Sequence, residues 1–189
     1  GSVLAQANDS TMPSCEVFTT LSPRPIDILW VVDDSASMAV YQQATGNAAA
    51  VFPTKLASAG VGWRTGAVTT SYWNATDAGF LRPFTSNTNT MLSWFSADGG
   101  SAWFGIGGNA DERALQSAQQ YIPTLLPRGG TGNKLAANAD LHVILLGDAD
   151  DLGTTSLAQV RAFFANYDGL GAKATVHGIV CPDGQSVLA

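Results

Sequence analysis

The chain alternates between short, densely apolar runs and longer stretches in which apolar residues return every three or four positions. The runs are "IDILWVV" at 26–32, "VGWRTGAVTT" at 61–70, "ADLHVILLG" at 139–147 and "ATVHGIV" at 174–180. Each predicts a strand; the continuous apolar run at 26–32 is of the kind covered on both faces in a parallel sheet, and 139–147 reads as another buried strand. Residues 38 to 58 carry Val40, Ala44, Ala48, Val51 or Phe52, and Leu56 at helical spacing, with Gly46 and Pro53 placed to weaken or bend the helix. A second helix is predicted from Asp111 to about Leu126, with Leu115, Ala118, Ile122 and Leu125 on one face. A third runs from Thr154 to Tyr167, capped by Thr154 or Thr155, with Leu157, Val160, Phe164 and Tyr167 facing inward. Strands and helices in this order predict an α/β domain with a mostly parallel central sheet and helices on both faces.

Two regions break the pattern. Residues 3 to 25 are polar, with Pro13, Pro23 and Pro25, and read as an extended leader in which "CEVFTTL" can add an edge strand; the domain proper is 26–189. Between 71 and 103, "SYWNATDAGFLRPF" predicts a hairpin and "NTMLSWFSADGG" a short helix stopped by glycines. The aromatics there (Trp73, Phe80, Phe84, Trp94, Phe95 and Trp103) either pack onto the sheet or form an exposed rim suited to a protein or glycan. His142 and His177 lie inside strands and are expected in the core.

The first strand poses a chemical question. In "ILWVVDDSASM" a buried run ends in Asp33 and Asp34, followed by hydroxyls at Ser35 and Ser37. A helix cap would explain some of this. The other acids decide otherwise. Ligands of an open parallel sheet bind beyond the carboxyl ends of its strands. Asp148, Asp150 and Asp151 follow the 139–147 strand, while Asp111 and Glu112 start the helix leading towards it. Seven of the fifteen acids therefore fall in three loops at one edge, with Arg113 the one cation among them. Mutual repulsion and burial would raise their pKa values unless a divalent cation neutralises them. An all-oxygen set of this kind favours magnesium, then calcium or manganese, over zinc. If the chain turns from strand into helix, Asp33, Ser35 and Ser37 point the same way and Asp34 points elsewhere.

Composition narrows the partners. The 189 residues suit one domain, and 13% charged residues is well below the usual quarter, as in many secreted proteins. Net charge is −6 and the nine Lys and Arg form no stripe, which argues against nucleic acid and anionic membrane. No run is long enough to span a bilayer, so no membrane insertion by this domain is expected. Cys15 and Cys181 lie too far apart for a clustered zinc site. A disulfide between them is expected in an exported chain, two separate buried thiols being the alternative.

Over about residues 26 to 181 the chain resembles the von Willebrand factor A fold, a three-layer Rossmann-like arrangement, with its metal-ion-dependent adhesion site. The D-x-S-x-S of that family is matched by Asp33, Ser35 and Ser37, and its later Asp by Asp148. Where the family carries a Thr in a Gly-rich loop, "GIGGNADERALQSA" offers Asn109 or Glu112 instead, with Asp111 and Asp150 as further candidates. The wording "DILWVVDDSASM", "RTGAVTTSYW", "GNADERALQSA" and "DADD" is most like secreted or lipid-anchored bacterial members. The family's usual last helix and strand are not visible after "HGIVC", a place the leader could fill. The resemblance implies a binding module whose cation accepts a carboxylate from a partner protein, at the bacterial surface or outside the cell. No nucleophile–base set or phosphate-cradling loop is present. A metal-dependent hydrolase and a structural domain with a degenerate metal site are the rival readings.

Overall fold

In a computed structural model, residues 23–74, 81–166 and 174–180 are described. The leader through residue 22, Phe80, Tyr167 and both cysteines lie outside those residues.

Among the described residues five strands form one sheet: β1 (Ile26–Val32), β2 (Trp63–Thr69), β3 (Arg82–Thr85), β4 (Asp140–Gly147) and β5 (Ala174–Val180). Their order is β3-β2-β1-β4-β5, parallel except for the short β3, which runs antiparallel to β2 with a register shift. β1 lies in the middle, which explains its apolar run. Ile28, Trp30 and Val32 enter one hydrophobic cluster with Met38, Phe95 and Leu146. Leu29 and Val31 enter another with Ile122, Leu125 and Val143.

The α-helices among the described residues are α1 (Ala39–Ala49), α2 (Phe52–Ser58), α3 (Thr88–Ser93), α4 (Ala114–Tyr121) and α5 (Leu157–Asn166). The helix expected over 38–58 is two, broken at residues 50 and 51 just ahead of Pro53. Its buried side also differs from the expected one. Met38, Gln42, Gly46 and Ala49 are buried, whereas Val40 is 70% exposed. Two contacts turn the helix this way. Gln42 donates to the carbonyls of Asp33 (2.9 Å) and Gly105 (3.0 Å) and accepts from the Trp103 indole (2.8 Å). Gly46 lets Phe95 approach so closely that an added Cβ would stand 2.8 Å from the Phe95 Cβ.

Other boundaries shift for local reasons. Residues 111–113 stay in the loop before α4, which continues as a 3-10 turn over Ile122–Leu125, with Ala118, Ile122 and Leu125 buried as expected. Ser156 takes the place of Thr154 or Thr155 before α5, its hydroxyl accepting from Gln159 N, and Leu157 faces solvent. Of the expected hairpin, the described part is a 3-10 turn at Thr70–Trp73 and the edge strand β3. Asn87 caps α3 by accepting from Thr90 N at 3.0 Å. Of the aromatics expected in the core or in an exposed rim, Trp94 and Phe95 are at most 2% exposed and belong to the core, while Trp73, Phe84 and Trp103 are half-buried. The two histidines are not core residues: His142 is half-buried, His177 exposed, and their ring nitrogens stand 3.1 Å apart.

One charge is hidden inside the β1 run. Asp27 is 1% exposed, forked to Arg64 at 2.9 and 2.8 Å, and accepts Ala136 N at 2.6 Å. It sits at the amino end of the sheet. The candidate chemistry lies at the other end, where Val32 is level with Thr69 of β2 and Leu146 of β4.

Candidate metal centre

At the carboxyl edge the chain leaves β1 and turns at once. Asp33 Oδ1 accepts the backbone N–H of Ser35 at 2.7 Å, a short-range turn that starts the helical segment. The turn points Ser35 and Ser37 alike, with their hydroxyls 3.0 Å apart. Asp33 Oδ2 is buried and accepts no hydrogen bond. Glu112 enters from the loop before α4, and Asp148 from the end of β4. Ligand oxygens of Asp33, Glu112 and Asp148 all lie within 4.8 Å of one another.

The electrostatics of this trio are unfavourable as they stand. Burial raises the Asp33 carboxyl against the lowering effect of hydrogen bonds from Ser35 and from the Glu112 carboxyl, and Asp148 adds to the rise. Glu112, 8% exposed, is pushed up to about 8, chiefly by burial and then by the Asp33 carboxylate beside it. Ser35 lowers both groups by bonding their charged forms. Arg113, one residue from Glu112, supplies no counter-charge. Its guanidinium grips Asp111 at 2.6 and 3.1 Å and lies 3.8 Å over the Trp73 ring.

Burial raises Asp34 as well, against the lowering effect of hydroxyl hydrogen bonds. Its side chain points away from Asp33 and accepts from Ser71 Oγ at 2.8 Å and, more weakly, from Thr70 Oγ1 at 3.4 Å. Its carbonyl accepts Gly108 N at 2.8 Å, while Ser71 Oγ accepts Asn109 N at 2.9 Å. Gly108 is required there, because a Cβ would stand 2.2 Å from the Asp34 carboxyl carbon. Asp34 and Ser71 thus fasten the "GGNADE" loop across the end of β1 and deliver Glu112 to Asp33. Asp151 performs a similar task, accepting Leu115 N and Gly153 N at 2.7 Å each and tying the β4 loop to the start of α4.

The expected site residues therefore divide. Asp33, Glu112, Asp148, Ser35 and Ser37 come together. Asn109 Oδ1 accepts Asp111 N at 2.9 Å, a bond that shapes the loop. Asp111 is committed to Arg113, which lowers its pKa, and Asp150 is exposed beyond the cluster. Gln42, Thr70, Ser71 and Gly108 were not singled out as site residues. The hydroxyl run Thr69–Ser71 at the end of β2 and the paired glycines before Asn109 were the signals available.

This arrangement can hold a hard cation. Asp33 Oδ2 is buried with no hydrogen-bond partner, and the donors around it are carboxylates and hydroxyls, the oxygen set a hard cation takes.

Among the described residues the domain is an α/β fold with a five-stranded, mostly parallel sheet and three acids gathered at its carboxyl edge. No protein-family model and no curated protein matches the chain. Solved structures do. The pilus adhesin SpaC from Lactobacillus rhamnosus GG, in its open conformation, is 21% identical over 68% of this chain and 15% of its own, with a TM-score of 0.43. The vWF domain of the type V pili tip protein Mfa5 from Porphyromonas gingivalis is 20% identical over 71% of this chain and 43% of its own, at 0.44. Proximal thread matrix protein 1 from the mussel byssus is 14% identical over 82% of this chain and 38% of its own, at 0.47. The chain thus spans less than half the length of each of these.

Proposed function

We propose that this is a metal-dependent adhesion module, of three-layer von Willebrand factor A architecture, that binds an acidic group of a partner protein. The observation that carries the reading is the buried, unpartnered Asp33 Oδ2 facing two further carboxylates at the carboxyl edge of the sheet. Asp33, Glu112 and Asp148, with Ser35 and Ser37, would hold one divalent cation, magnesium before calcium or manganese. The ion supplies a positive centre able to take an external carboxylate. The chain's own part is to fix three loops around it: Gln42 holds the β1 end, Asp34 and Ser71 hold the Glu112 loop, and Asp151 holds the β4 loop. Hydrolysis is disfavoured because the nearby cation, Arg113, is bound to Asp111 and Trp73 and is not free to stabilise developing charge. A bacterial surface or secreted setting accords with the wording of the loops. Among the described residues no helix is long and apolar enough to cross a membrane.

Glu112 stands where the resemblance implies a neutral hydroxyl, and its charge weakens the pull of the ion on an incoming carboxylate. Glu112→Thr should therefore loosen the metal yet strengthen capture of an acidic ligand at saturating metal. Calorimetric titration with magnesium, followed by an acidic peptide, measures both steps. Peptide binding that persists in EDTA, or in Asp33→Asn, would refute the proposal.

A further inference from the structure

The acid trio has a cation beside it and does not use it. Arg113 follows Glu112 directly in the chain and is the one basic residue in the three acidic loops. A buried group of carboxylates is what an arginine normally seeks, because its planar guanidinium can fork a carboxylate with two parallel hydrogen bonds. Here the side chain turns the other way. The acids that raise the Arg113 pKa are Asp111 first and then Asp151, and neither belongs to the trio.

Three contacts hold it there. Nε and one terminal nitrogen fork the Asp111 carboxylate at 3.1 and 2.6 Å, and the other terminal nitrogen donates to Gln116 Oε1 at 3.3 Å. The guanidinium carbon lies 3.8 Å from the centre of the Trp73 ring, well inside the range of about 6 Å for a cation over an aromatic face. The seat is itself fixed. Trp73 Nε1 donates to the Asp111 carbonyl at 3.1 Å, so ring and carboxylate keep a constant spacing. The Trp73 backbone N–H donates to Ser117 Oγ at 3.2 Å, and that hydroxyl donates to Thr70 O at 2.9 Å, which ties the seat to α4.

We propose that Trp73 and Asp111 sequester Arg113, an internal competitor that would otherwise turn onto Asp33, Glu112 and Asp148 and take the place of the cation. This is a regulation of the metal centre proposed above and rests on that reading. A partly exposed ion pair and a single cation–aromatic contact are each weak. Acting together on one planar group, they oppose the pull of the buried acids on the arginine next to them. The seat thus keeps the charge of the trio unmet, and so available to an ion from outside.

Calorimetric titration of the full chain with magnesium tests it. Asp111→Asn removes the fork at a partly exposed position and should weaken magnesium binding roughly threefold. Trp73→Leu combined with Asp111→Asn removes the seat. If Arg113 then occupies the acids in about nine molecules of ten, the apparent dissociation constant rises roughly tenfold. The decisive step is to delete the competitor. Arg113→Gln alone should change affinity by less than about twofold, and added to either seat variant it should restore affinity to within about twofold of the unmodified protein. A loss that Arg113→Gln does not relieve would overturn the proposal, because the contacts would then only shape the loop or Asp111 would itself be a ligand. No loss in either seat variant would overturn it as well. Melting in EDTA checks that Trp73→Leu folds, and if it does not, Asp111→Asn with and without Arg113→Gln decides alone. An unmodified protein that binds no magnesium, calcium or manganese would instead refute the metal reading, and this inference with it.

Discussion

The two ends of β1 each bury an aspartate, and the contrast between them separates a structural charge from a site. Asp27 at the amino end is 1% exposed and Asp33 at the carboxyl end 0%. Asp27 has a guanidinium fork and a backbone N–H, which together neutralise it and occupy its oxygens. Asp33 has one backbone N–H, an Oδ2 with no hydrogen-bond partner of good geometry, and two more acids as neighbours, one of them, Glu112, protonated in the metal-free protein, and no cation. A protein that balances one buried acid so thoroughly and leaves the other unbalanced has built the second place for something else to fill.

Removing either carboxylate should therefore have opposite consequences. Asp27→Ala leaves Arg64 without its fork and Ala136 N without an acceptor, and should cost about 3 kcal/mol, the low end for a broken buried pair because Arg64 is partly exposed. Urea unfolding should give the same loss with and without EDTA. A loss that appears with one of them alone would show the two ends to be coupled.

Metal is the next largest effect. At a hundredfold excess over its dissociation constant a divalent cation should stabilise the protein by about 2.7 kcal/mol. Asp33→Asn should abolish that gain while leaving the EDTA-treated protein as stable as before, or more so, because it removes an unbalanced buried charge. Melting curves of both proteins in EDTA, magnesium, calcium and manganese decide it. A variant that is strongly destabilised in EDTA would make Asp33 a structural residue like Asp27.

Those two aspartates also mark the limit of what was legible in the sequence. The strands were readable because β1 and β4 are covered on both faces, and the acids because they cluster after strands. Asp27 passed unnoticed inside an apolar run, since its partner Arg64 lies 37 residues away and becomes a neighbour only when β1 pairs with β2. The buried side of α1 was misread because a glutamine with three hydrogen bonds and a glycine under Phe95 outcompete Val40, Ala44 and Ala48 for the interior. The acids Asp33, Glu112 and Asp148 lie together at the strand ends, whereas the bond from Asp111 N to Asn109 Oδ1 that shapes the loop is one that spacing cannot reveal.

The pH response sharpens the contrast further. In the folded metal-free protein Glu112 keeps its proton to about pH 8, against an ordinary value of 4.5. Between those values the unfolded chain holds fewer protons than the folded one, so stability falls as pH rises, by at most about 1.4 kcal/mol per pH unit. Unfolding in EDTA across this window should show the decline. Glu112→Gln should flatten it, and an unchanged slope would mean the trio is not the source.

The smallest effect is expected at Asp150. It is exposed and outside the cluster, so Asp150→Ala should shift stability by no more than about 0.5 kcal/mol and leave metal affinity unchanged. A clear loss of affinity would extend the centre outward along the β4 loop.

The close seating of Gly108 on Asp34 has a consequence for how this surface can vary. Gly107 and Gly108 are neighbours in the chain, yet a Cβ at 107 meets nothing within 4 Å while one at 108 collides with the Asp34 carboxylate. In a saturation library scored for metal-dependent folding, position 107 should accept most residues and position 108 none but glycine. The loop thus has one free letter beside one fixed letter. New recognition chemistry can be written at 107, next to the centre, without disturbing the bond between Gly108 and Asp34 that keeps Glu112 in place.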